Sequence, residues 1–153
     1  MVSVTVTGMP PPEFSFRYLP SPTTLFRFSA LTFNGHYIHL DKDYAQEVEG
    51  YAGRFLLRKG GKQVEDSVDR LVHGPLTALM LLETAMLHYP NIRIESMEYR
   101  AQNALVVNSL LGIYGLWVSP EKIFLWCKDE KVGVVGMTGM VTIQPSDREN
   151  SKT

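Results

Sequence analysis

Apolar and polar positions alternate at the start of the chain, Val2, Val4 and Val6 against Ser3, Thr5 and Thr7, a period of two that predicts a strand over Met1–Thr7. Pro10–Pro12 and Pro20–Pro22 bracket Glu13–Leu19, which reads as a short extended segment between stiff turns. The apolar stretch Thr24–Phe33, with Leu25, Phe28 and Phe33, predicts one or two helical turns ended by Gly35, and Asp41–Val48 predicts a second short helix. Tyr51–Arg70 breaks the pattern. Gly53, Gly60 and Gly61 stand among Arg54, Arg58, Lys59 and Lys62, followed by Glu65, Asp66 and Asp69, so 52–70 is expected as a polar surface insertion loop.

Gly74-Pro75 opens the clearest helix, which runs to about His88 before Pro90. Proline at the first helical position loses nothing, because that N–H has no intrahelical partner. Leu76, Ala78, Leu79, Met80, Leu81, Leu82, Ala85, Met86 and Leu87 are interrupted only by Thr77, Glu83, Thr84 and His88, a pattern expected of a helix buried all round. Strand patterns follow at Ile92–Arg100, Leu105–Val118, Ile123–Lys128 and Val132–Ile143, with Ser119–Lys122 and Lys128–Lys131 as hairpin connections. Pro145–Thr153 is polar and is expected to be a disordered tail. One buried helix followed by several antiparallel strands predicts an α+β fold, a single domain over 1–144 whose antiparallel sheet wraps the central helix.

Composition narrows the function classes. Apolar residues make up 44% of the 153 and charged residues 20%, an ordinary globular balance that suffices for a core without disulfides. The longest apolar runs are broken well short of the roughly 20 residues of a membrane span. Neither a membrane partner nor a secretory leader is expected. The single cysteine, Cys127, excludes an internal disulfide and fits a reducing compartment, so a cytoplasmic or organellar, non-secreted setting is expected. Net charge is −1, from 15 basic and 16 acidic residues without a basic block, which argues against nucleic acid as a partner.

The chemistry concentrates in two segments that hold three of the four histidines: Asn34-Gly35-His36-Tyr37-Ile38-His39-Leu40-Asp41 and Leu71-Val72-His73-Gly74-Pro75-Leu76. Histidine moves protons near neutral pH, so this clustering marks a candidate acid/base site, against the plainer reading of polar residues at element ends. Gly74, just before a helix, places backbone N–H groups at the positive end of the helix dipole, where a thioester carbonyl and its enolate are stabilised. A metal held by His36, His39 and Asp41 ranks below the acid/base reading, since no paired cysteines or second histidine–acid spacing support it. A hydrolase is unsupported too, because Ser29 lacks a nucleophile-elbow context and Cys127 sits in an apolar strand.

Phe26-Arg27-Phe28-Ser29-Ala30-Leu31-Thr32-Phe33-Asn34-Gly35-His36, then Ile38-His39-Leu40-Asp41 and Tyr44-Ala45, resembles the signature of the MaoC-like hot-dog hydratases. The branch it resembles is that of mesaconyl-CoA hydratase and hydroxyacyl-thioester dehydratase type 2. Val72-His73-Gly74-Pro75-Leu76 matches the start of that family's central helix, and the resemblance covers roughly Pro20 to Ile143. It implies a homodimer-forming hot-dog fold acting on a small-molecule acyl thioester, adding water to an enoyl group or removing it from a 3-hydroxyacyl group without a cofactor. It implies His39 as general acid or base, with Asn34, His36 and Tyr37 beside it. Thr32, His73, Gly74 and Arg27 are implied to face substrate, the Gly74 N–H meeting the thioester carbonyl. Two positions depart from the family. Thr32 stands where the wider pattern has aspartate, and Tyr37 stands where the branch has arginine, whose fixed charge tyrosine does not replace.

Those departures keep two other functions in view. A hot-dog scaffold recruited to a biosynthetic pathway as a pericyclic cyclase of the Diels–Alder type, an isomerase or a decarboxylase needs mostly shape and one or two hydrogen-bond donors, which Tyr37, His36 and His39 would supply. A non-enzymatic acyl-binding protein needs no histidine pair, and the two-segment motif argues against it.

Overall fold

The computed structural model describes residues 8–49, 58–59, 62–63 and 69–144. The strand expected at Met1–Thr7, the tail Pro145–Thr153 and most of the excursion after Tyr51 lie outside the described residues. Within that excursion two short strands, β2 (Arg58–Lys59) and β3 (Lys62–Gln63), pair antiparallel. The chain divides into two compact units, 1–18 with 74–103 and 110–153, and 19–73 with 104–109.

The first unit is a sheet carrying a helix. Its five antiparallel strands are β1 (Phe14–Tyr18), β4 (Ile94–Ala101), β5 (Leu111–Ser119), β6 (Lys122–Asp129) and β7 (Val135–Ile143), in the order β1-β5-β6-β7-β4. The helix α2 (Gly74–His88) packs against β1, β5, β6 and β7. Register places residues of like character in rows, because directly opposed residues of an antiparallel pair share a face. Phe14 opposes Gly115, Gly115 opposes Leu125 and Leu125 opposes Gly139, one row that runs across four strands. Leu81 of α2 lies over the end of this row, since a Cβ on Gly139 would stand 3.5 Å from Leu81 Cδ1. Leu81, Ile113, Ile123, Leu125 and Val141 are fully buried, each contributing about 1.5–3 kcal/mol of transfer free energy. On the opposite face Tyr114 and Phe124 stack on Trp126, with centroids 5.6 and 5.5 Å away. Lys128 Nζ lies 5.2 Å from the Tyr114 ring, and the Tyr114 hydroxyl donates to Glu130.

The boundaries of α2 are those expected, but its surroundings are not. Its buried stripe is Thr77, Ala78, Leu81, Thr84 and Ala85, while Leu79, Met86 and Leu87 are 50%, 43% and 65% exposed. The two threonines taken as interruptions therefore sit inside. Thr84 is accommodated there because its hydroxyl donates to the Met80 carbonyl one turn back, 2.8 Å away.

The second unit holds α1 (Pro22–Thr32), a 3-10 turn at Tyr37–His39, a π-helical turn at Tyr44–Val48 and the returning segment 69–73. The helix α1 is longer than the one or two turns expected from Thr24–Phe33. Ser21 caps its N-terminus, accepting at its side chain from the Thr24 N–H at 3.2 Å, while the Thr24 hydroxyl accepts from the Ser21 N–H at 3.3 Å. This reciprocal box, with Pro22 just inside, starts the helix two residues earlier. Phe33 closes it in a left-handed conformation, φ 53°.

The strand expected over Leu105–Val118 is two elements. Asn108 adopts φ 63°, which interrupts the extended run before β5 begins at Leu111. The earlier piece stays in the second unit, where Leu71 bridges Val106, the Val72 N–H donates to Leu105 and the Val107 N–H donates to Arg70. The Leu71 N–H donates in turn to the Ile38 carbonyl at 2.9 Å. That last bond ties the returning segment to the 3-10 turn, and with it the two histidine-bearing stretches to each other.

Candidate active site

The histidines of the two segments, His39 and His73, meet inside the second unit. His39 and His73 stack face to face, their ring centroids 3.7 Å apart and their planes 20° from parallel. His39 is 9% exposed and His73 not at all. The Nδ1–H of His39 donates to the Leu71 carbonyl at 2.7 Å. A carbonyl can only accept, so this bond places the proton of the neutral ring on Nδ1 and leaves Nε2 with its lone pair. Burial, above all, holds the His39 pKa below the ordinary imidazole value, against the Leu71 bond, which raises it; the nearby His36 lowers it further. Burial and then the neighbouring His39 push His73 down to about 4. Both rings are therefore neutral near pH 7, and His39 carries a basic nitrogen at that pH.

The remaining predicted residues divide. Asn34 and His36 belong to the same turn: Asn34 Oδ1 accepts from the His36 N–H at 3.1 Å, and the His36 ring lies 6.1 Å from that of His39. The Asn34 side-chain carbonyl thus shapes the turn, and its amide nitrogen makes no hydrogen bond among the described residues. His36 Nε2 stands 3.8 Å from Glu49 Oε1, both well exposed, a pair of little energetic weight. Tyr37 is 59% exposed, its ring tilted against that of Tyr44 at 5.4 Å. The Thr32 hydroxyl donates to the Phe28 carbonyl at 2.7 Å, spending itself on the end of α1. Arg27 is exposed on α1. Gly74 follows His73 in the chain and opens α2 in the first unit.

Two neighbours of His73 were given no place at the site by the sequence. Ser29 Oγ lies 2.8 Å from His73 Nε2, and Phe28 meets the same ring at 4.9 Å in a tilted-edge contact. The available signal was the four-residue spacing from Leu25 to Ser29, which puts both on the inner stripe of α1, where they are the buried residues. A hydroxyl there requires a partner. Cys127 is buried in the first unit, its thiol pushed up to about 12 mainly by that burial, so it is not a nucleophile. Among the described residues no three His, Cys, Asp or Glu side chains converge as a metal set. Among them, too, no helix is long and apolar enough to cross a membrane.

Comparison with known proteins places the chain in a family and gives its fold. The family described as hydroxyacyl-thioester dehydratase type 2 matches residues 4–56 and 61–107. A mesaconyl-C(4)-CoA hydratase of Chloroflexus aurantiacus is 42% identical over 87 residues, 57% of this chain and 25% of that protein. A mitochondrial hydroxyacyl-thioester dehydratase type 2 of Schizosaccharomyces pombe is 31% identical over 104 residues, 67% of this chain and 29% of that protein. The chain thus spans between a quarter and three tenths of the length of the curated relatives it matches. Among solved structures, an (R)-hydratase from A. caviae superposes with a TM-score of 0.62 at 14% identity, covering 86% of this chain and 92% of that one, a likeness of fold. The expected α+β hot-dog architecture is therefore the one observed.

Proposed function

The chain belongs to the hydroxyacyl-thioester dehydratase type 2 family, and from that premise we propose that it hydrates an enoyl thioester, or dehydrates the corresponding 3-hydroxyacyl thioester, with His39 as the proton-moving group. The observation that carries this reading is the Nδ1 bond to Leu71, which presents His39 Nε2 as a base on a neutral ring. In the hydration direction Nε2 takes a proton from water as the oxygen forms its bond to the β-carbon. Electrons of the double bond move towards the thioester carbonyl, and the α-carbon then receives a proton, returning the ring to neutrality. Dehydration runs the same steps backwards. The thioester itself makes the α-proton removable, so the scheme needs no cofactor.

Asn34, through its amide nitrogen, is the proposed partner for water or substrate beside His39. Thr32 and Arg27 are the further proposed contacts to substrate. The one has its hydroxyl engaged by Phe28, and the other is exposed. A second copy of the chain is the proposed partner, covering the outward Leu79, Met86 and Leu87 of α2. The single cysteine and the mitochondrial relative favour a cytoplasmic or organellar setting.

The cyclase alternative drew on Tyr37 and the insertion after Tyr51; the Tyr37 ring packs against Tyr44, and the insertion lies largely outside the described residues. Loss of enoyl absorbance on mixing the purified chain with short and medium enoyl-CoA thioesters tests the proposal. Turnover of at least one is expected, and inertness towards the whole series contradicts it.

A further inference from the structure

The stacked pair is not held by stacking alone. Ser29 sits on α1, 5% exposed, with its hydroxyl 2.8 Å from Nε2 of a His73 ring that is wholly buried. Phe28, from the same turn of α1, meets that ring at 4.9 Å, and His39 covers its face at 3.7 Å. The His39 ring is pinned from the other side, at Nδ1, by the carbonyl of Leu71, two residues before His73. One short segment therefore holds both imidazoles, His39 through a backbone carbonyl and His73 through its own attachment, while α1 fixes the tilt of His73. Rotation of His73 about its side-chain bonds would break the Ser29 bond inside the core and uncover the face of His39.

We propose that Ser29 is a positioning residue for His39, acting through His73: its buried hydroxyl locks the His73 imidazole flat against the His39 ring. The inference rests on His39 being the proton-moving group, and it assigns Ser29 no bond to substrate. Chemically, the lock keeps water from the face the two rings share, which holds His39 neutral with Nε2 unprotonated. Among the described residues, the ionisable groups given near the pair are His36, 6.1 Å from His39, with Glu49 and Tyr44 around His36, and Arg70, next to Leu71 in the chain and engaged with Asp69 at 2.9 Å. Ser29 and Phe28 of α1 meet His73.

The test uses the full chain and two readouts. The first is the titration midpoint of His39 followed by imidazole NMR without substrate; the second is steady-state hydration of an enoyl-CoA. In Ser29→Ala the midpoint is expected to rise towards that of an ordinary imidazole as His73 loosens and water enters. The turnover number is expected to fall on the order of 10-fold, with KM changed less than about twofold, as for a misplaced rather than a missing catalytic group. Ser29→Thr, which keeps the hydroxyl, is expected to restore both. His73→Gln, whose amide can still meet Ser29 but which has no ring, gives the same rise and serves if Ser29→Ala does not fold. A folded Ser29→Ala or His73→Gln chain with the wild-type midpoint and turnover overturns the proposal. Wild-type protein without hydratase activity, or His39→Ala retaining it, overturns the underlying reading instead. The NMR titration still decides whether Ser29 controls the pair.

Discussion

His73 lies face to face with His39, 3.7 Å between ring centroids, although 34 positions separate them in the chain. Two imidazoles in such contact cannot both be charged without repulsion, and burial opposes even the first charge. The consequence for stability has a definite sign. A histidine whose folded pKa is depressed binds its proton more readily in the unfolded chain, so folding loses free energy as pH falls below the unfolded value near 6.5 towards the folded value. For His73, pushed down to about 4, the window runs from pH 6.5 to about 4, and the loss across it is on the order of 2–3 kcal/mol. Chemical denaturation at pH 7 and pH 4.5 measures it. His73→Gln is expected to flatten the dependence. Asp69, whose carboxyl the adjacent Arg70 holds below its ordinary value against the effect of burial, loses its contribution only at still lower pH and leaves this window undisturbed.

Ser21→Ala breaks the reciprocal cap of α1 and leaves the Thr24 N–H without its side-chain acceptor. A loss of about 1 kcal/mol is expected, seen as a lower midpoint in urea with unchanged slope. Because α1 carries Phe28 and Ser29, the same variant is also expected to weaken protection of the α1 amides in hydrogen exchange before those of the sheet.

Gly115→Ala tests the core row. A Cβ at Gly115 would stand 2.2 Å from Phe14 Cζ and 2.7 Å from Leu125 Cδ2, and Phe14 is itself buried. The overpacking is expected to cost about 1–3 kcal/mol. A denaturation midpoint equal to that of the unsubstituted chain would mean that β1 does not close over β5 as described.

Leu79, Glu83, Met86 and Leu87 form the outward stripe of α2, opposite the residues that meet the sheet. If a second copy covers it, the double variant Leu79→Glu/Leu87→Glu is expected to halve the mass measured by light scattering while circular dichroism stays unchanged. A wild-type chain of single-copy mass at every concentration contradicts the dimer.

Much of this was legible in the sequence because it depends on local pattern. Gly74-Pro75 and the proline after His88 delimit α2, and runs of strand-forming residues between turn signals locate β4, β6 and β7. What was not legible depends on which face a residue turns inward. Thr77 and Thr84 look like polar breaks in a linear reading, yet they lie on the stripe defined by Ala78, Leu81 and Ala85. The apolar run through Leu105–Val118 hides the left-handed Asn108 that divides it between the two units. The histidines were found because their residue type carries the chemistry. Their stacking and the Ser29 contact required the Ile38–Leu71 and Leu71–Val106 pairings, which link positions far apart in the chain and leave no periodic trace.

The central claim is that His39 moves the proton, and the most direct measurement is the steady-state hydration of an enoyl-CoA by the chain and by His39→Ala. A fall in kcat of at least about 100-fold is expected, the usual contribution of a positioned general acid or base, with binding largely retained. A His39→Ala chain that hydrates the thioester within twofold of the wild-type rate would contradict the account.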